Sequence, residues 1–101
     1  MTTVVDVHKK NGKTPHFDVY IGRQVRFIEW AWNSKWGNYH YKNLKLYETH
    51  IRTQPFLWNA LEELKGKVLG CWCITTDKIE PLKCHGQILM KLVREKFGEN
   101  T

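Results

Sequence analysis

The chain has 101 residues, 42% hydrophobic and 13% aromatic, and its sixteen Lys and Arg against ten Asp and Glu leave a net charge of +6. This length suits one domain, residues 1–101, with a core of its own, and the composition excludes a disordered chain. No apolar run approaches the ~20 residues of a membrane span, and the opening MTTVVDVHKKNGK lacks the apolar stretch of an export signal, so no membrane partner and a cytoplasmic location are expected.

In chain order, Thr2–Lys9 is rich in β-branched residues and alternates loosely, which predicts a first strand. His16–Gly22 predicts a second, with Phe17, Val19 and Ile21 on one face. Asn11-Gly12 between them is compatible with a hairpin, and the spacing is compatible with a parallel arrangement as well. Arg23–Asn43 fits neither a helical nor a strand period and is expected to be a long irregular connection. Its aromatic part, residues 25–36, offers a surface for a protein partner or a second copy of the chain. Leu44, Tyr47 and Ile51 share a helical face. Pro55 opens a second helix through Leu64, and Gly66 stops it. Lys67–Cys73 predicts a short apolar strand, central and parallel to a neighbour. A last helix is expected over His85–Phe97, with 97–101 as a loose tail. The fold class implied is α/β: a small single-domain sandwich with a short, at least partly parallel sheet and about three helices. In such sheets ligands gather at the carboxyl ends of strands, which here follow Ile21 and Trp72.

All three cysteines fall in the last third of the chain, and a histidine follows the last of them. An odd number of thiols without an export signal argues against a disulfide framework. On a strand Cys71 and Cys73 point one way and Trp72 the other. A ten-residue loop then returns the chain to Cys84-His85-Gly86 at a helix start. Cys71, Cys73, Cys84 and His85 make a Cys₃His set, which matches tetrahedral zinc, although C-x-C-x₁₀-C-H is not the usual C-x₂-C knuckle. Two other readings stay open. Cys84 at a helix N-terminus could be a low-pKa nucleophile with His85 as its proton partner. The cysteines could also be plain core residues, since a free thiol behaves as a small hydrophobe.

A second candidate site closes the second strand. Gly22 leaves the backbone approachable, and Arg23 offers a planar fork for phosphate. Lys35, Trp36 and Asn38 add a cation, an indole for stacking and an amide for a base edge, so the group could hold a nucleotide or nucleic acid. A plain turn, with Trp36 plugging the core, is the competing reading. The net charge favours anionic partners, but it is spread along the chain without a basic block.

The stretches DVYIGR (Asp18–Arg23), SKWGN (Ser34–Asn38), LKGKVLGCWC (Leu64–Cys73) and CHGQILMKL (Cys84–Leu92) resemble the family called Domain of Unknown Function 4326, found in phages, other viruses and bacteria. The resemblance implies a viral or phage type of protein, placed in the host cytoplasm or the virion, with work on nucleotides or nucleic acid and no assigned reaction. The chain departs from the family's usual pattern in three places. Tyr39-His40 stands where Pro-Phe is usual, Gln87 where an acidic residue is usual, and the loop Ile74–Lys83 is longer. The loss of the acidic residue removes a general base or a group that orients ligands.

Overall fold

Three short strands form one parallel sheet in the order β1-β3-β2: β1 is Thr3–Asp6, β2 is Val19–Tyr20 and β3 is Val68–Cys71. The structure, a computed structural model, describes residues 2–9, 11–23, 35–37 and 43–98. Val4 and Val19 both lie beside Leu69, so the apolar positions of the three strands come into register. The strand read as central is central. The hairpin allowed by Asn11-Gly12 does not form. Both residues turn the chain, with φ of 53° and 78°, yet β3 lies between β1 and β2.

The helices are α1 (Leu44–Thr53), α2 (Pro55–Ala60, running on as a 3₁₀ turn over Leu61–Leu64) and α3 (His85–Phe97). Asn43 caps α1 by accepting the Leu46 N–H at 3.1 Å, and Pro55 supplies the first turn of α2. Gly66, at φ 71°, takes the left-handed conformation expected of a helix stop. Of the expected tail, Phe97 closes α3 half-buried and Gly98 caps the helix at φ 67°, and residues 99–101 lie outside the described residues. No helix among the described residues is long and apolar enough to cross a membrane.

Alternation along β3 sorts the two faces of the sheet. Leu69 and Cys71 turn toward the helices, and Gly70 turns toward Phe17 and Val7. On the helical side α3 lies close against the sheet, because a Cβ at Gly86 would stand 2.9 Å from Val4 and 3.0 Å from Ile21. Tyr47 and Ile51 of α1, Leu61 and Leu64, and Ile88, Leu89, Leu92 and Val93 of α3 complete a core of fully buried side chains. Tyr47 and Ile51 are residues whose helical spacing marks them in the sequence.

The loop Ile74–Lys83 guards the outer edge of β1. Thr76 makes an antiparallel bridge with Val4, exchanging both backbone hydrogen bonds at 2.9 and 3.0 Å, and the Asp6 N–H donates to the Thr75 hydroxyl at 2.9 Å. An edge strand left open would expose these groups. The loop residues therefore have a structural use, and they lead the chain to the start of α3.

Candidate metal centre

Cys71 is the last residue of β3, Cys73 begins the loop, and Cys84 is the N-cap of α3. Their three sulfurs all lie within 4.8 Å of one another, with Cys71 and Cys84 buried and Cys73 exposed. The Cys71–Cys84 separation is 3.5 Å. Sulfurs held ~2.3 Å from a tetrahedral ion stand ~3.8 Å apart, so the spacing suits a metal. Strand end and helix start converge as the sequence spacing requires.

His85 sits beside this set. Its Nε2–H donates to the Ile21 carbonyl at 2.7 Å. A carbonyl only accepts, so the proton of the neutral ring is on Nε2 and the lone pair on Nδ1. Nδ1 lies 3.8 Å from the Cys84 sulfur. A ligating histidine usually donates its other ring N–H to such a carbonyl. Burial holds the imidazole below its usual pKa despite that bond, with the Arg23 charge acting in the same sense. Tyr47 packs its ring edge-on at 5.2 Å, and its hydroxyl donates to the Trp36 carbonyl at 2.6 Å. Burial raises the Tyr47 pKa well above the usual phenol range, and the nearby Cys84 adds to this.

The hydrogen bond between Cys84 and Cys71 couples the two thiols, so one proton of the pair is lost below the usual thiol range and the second is held well above it. The Gly86 N–H reaches the Cys84 sulfur at 3.4 Å, as a helix N-terminus should.

Cys73 and Cys84 line a cleft of about 540 Å³, and Cys71 is not part of its lining. The end of β2 contributes Gly22 and Arg23, the end of β3 Trp72 and Cys73, and the approach to α3 Lys83, Cys84 and His85. Both strand ends singled out in the sequence therefore face one space, as the rule for parallel sheets requires. Gly22 leaves room for Tyr20, since a Cβ would come within 2.5 Å of the phenol oxygen, and it lines the cleft as well.

Lys35 and Trp36 do not line the cleft. Glu63 binds both, with Lys35 Nζ at 2.9 Å and the Trp36 indole N–H at 3.0 Å, and Trp36 is 1% exposed. No face of this indole is open to a base, so the core-plug reading of Trp36 replaces the stacking one. Asn38 and most of the aromatic segment 25–36 lie outside the described residues. Sequence reasoning missed Trp72 and Lys83. Alternation sends Trp72 to the face away from Cys71, but β3 stops at Cys71 and the ring still borders the cleft.

Residues 5–95 match the family described as domain of unknown function (DUF4326). An uncharacterized protein of Acanthamoeba polyphaga mimivirus is similar, 34% identical over 91% of this chain and 80% of its own length. No solved structure matches the chain.

Proposed function

The chain belongs to the family described as domain of unknown function (DUF4326), and from that premise we propose that it is a zinc-binding domain with a cleft for a nucleotide-like anion beside the metal. One observation carries the reading: Cys71, Cys73 and Cys84 hold their sulfurs within 4.8 Å of one another, and two of them, Cys73 and Cys84, line the same cleft as Arg23 and Lys83. A thiolate-rich set with an imidazole selects zinc over the hard cations. Cys71, Cys73 and Cys84 would hold the ion, and Nδ1 of His85 is the fourth donor at hand. Zinc bound there supplies a tie between the end of β3 and the start of α3. Arg23 and Lys83 give the cleft a positive wall, with a planar fork suited to phosphate and a point charge across from it.

The net charge of +6 favours a second reading of the partner, a nucleic-acid strand held by the wider basic surface. Salt separates the two, since affinity for a strand falls steeply as counterions are released while a single nucleotide responds weakly.

The test is metal analysis of freshly reduced protein with thiol titration before and after chelation. One zinc per chain, with the thiols masked until the metal is removed, is expected. Arg23→Ala and Lys83→Ala should then weaken nucleotide binding at unchanged zinc content. Metal-free protein with three titratable thiols from the outset would sink the zinc reading. Unchanged nucleotide affinity in both variants would sink the cleft reading.

A further inference from the structure

Trp72 stands half-buried at the mouth of the cleft, and its ring is held in place from two sides. Its indole N–H donates to the Tyr20 hydroxyl at 2.8 Å. That hydroxyl in turn donates to the carbonyl of Arg23. The His8 ring meets the indole edge-on at 4.9 Å, with His8 itself 2.5 Å from the Asp6 carboxylate. The bonds from indole to phenol to the Arg23 backbone fix the ring relative to the residue that carries the guanidinium. Gly22 permits this arrangement, because any side chain there would displace the Tyr20 phenol. An aromatic plane fixed in this way loses little conformational entropy when a flat ligand settles on it.

We infer that Trp72 is a stacking platform, and that the cleft takes a ligand uniting a planar aromatic ring with an anionic group: the ring on Trp72, the anion between Arg23 and Lys83. A volume of about 540 Å³ is within the range of small-molecule sites and too large for a phosphate alone. Nucleoside monophosphates are the chemical class that fits. The inference rests on the proposed reading of the cleft as an anion site and adds the aromatic half of the ligand. It also moves the stacking role from Trp36, which is buried, to a tryptophan that lines the cleft.

The experiment compares adenosine 5′-monophosphate with ribose 5-phosphate by calorimetric titration of the protein as purified with its metal. Base stacking on an aromatic side chain corresponds to roughly 5- to 150-fold in affinity, and the nucleotide should exceed the sugar phosphate by a ratio in that range. Trp72→Ala should erase this ratio while leaving ribose 5-phosphate binding unchanged, and Trp72→Phe should retain most of it. Equal affinities for the two ligands in the parent protein would overturn the inference and leave the anion cleft standing. An equal loss for both ligands in Trp72→Ala would make the indole a structural wall and overturn it as well. Failure of both ligands to bind would overturn the inference together with the anion reading of the cleft.

Discussion

Gln87, at 1% exposure, uses its whole amide. The oxygen accepts N–H bonds from Lys83 and Cys84 at 2.5 and 3.0 Å, and the nitrogen donates to the carbonyls of Lys78 and Pro81 at 3.1 and 2.9 Å. A carboxylate could accept the first two bonds and has no hydrogen for the others. Gln87 therefore suits a loop that presents two carbonyls to this position, a need that shows only once the loop is placed. Gln87→Glu should cost at least ~2 kcal/mol, since it strands two acceptors and buries a charge. Urea unfolding checks this, and a variant as stable as the parent would contradict it. Trp36 gives a second test at this scale. With the indole in the core and its N–H on Glu63, Trp36→Ala should lose about 3–5 kcal/mol. A ligand-facing tryptophan would leave stability nearly intact. The sequence shows an indole beside a WGN turn, and whether the ring faces core or solvent depends on Glu63, twenty-seven residues away.

The helices were readable because their signals are local: apolar spacing at Leu44, Tyr47 and Ile51, Pro55 at a first turn, and a stop at Gly66. Strand extents were not, because pairing is set by a partner distant in sequence. β2 spans only Val19 and Tyr20, although its alternation runs from His16 to Gly22, and its backbone bonds to β3 begin at Asp18 and end at Ile21. The packing of α3 on the sheet gives a direct test. Gly86→Ala would set a Cβ against Val4 and Ile21, both buried, and overpacking of that kind costs about 1–3 kcal/mol. Thermal unfolding measures it, and an unchanged midpoint would mean that α3 sits farther from the sheet. Between α1 and α3 a charge cluster adds a pH dependence. Lys91 and Arg52 each bond Glu48 at 2.9 Å and hold its carboxyl below the usual range. A carboxyl lowered by folding stabilises the native state above its unfolded pKa, and this contribution disappears as pH falls through the folded value. The stability difference between the parent and Glu48→Gln should therefore be present at neutral pH and shrink below the ordinary carboxylate range. Because these groups are largely exposed, the effect is small and fades in high salt. A difference that grows toward acid would contradict the assignment.

At the scale of the molecule, one edge of one sheet gathers what the sequence scatters. The carboxyl ends of β2 and β3 and the start of α3 meet there, bringing Arg23, Trp72, Cys73, Cys84 and His85 to one cleft, with the Cys71 sulfur within 4.8 Å of the other two. The sulfur cluster was visible beforehand because a strand end and a helix start are both local signals, although β3 ends at Cys71 and Cys73 lies just beyond it instead of on the strand. The rest of the cleft needed the strand order, with β3 in the middle. A metal at this corner would join two elements that otherwise meet through side-chain packing, so chelation should lower the unfolding midpoint and loosen the start of α3 before its end. Hydrogen exchange along α3 reads that order, and uniform protection with and without chelator would contradict it.

Cobalt substitution tests the metal centre most directly. Co²⁺ added to reduced, metal-free protein should give intense tetrahedral ligand-field bands together with thiolate-to-metal charge transfer in the near ultraviolet. Cys73→Ser should lower that charge transfer by about a third, because one of three thiolates is lost. A weak octahedral spectrum, or charge transfer unaffected by the substitution, would show that the three sulfurs do not share an ion.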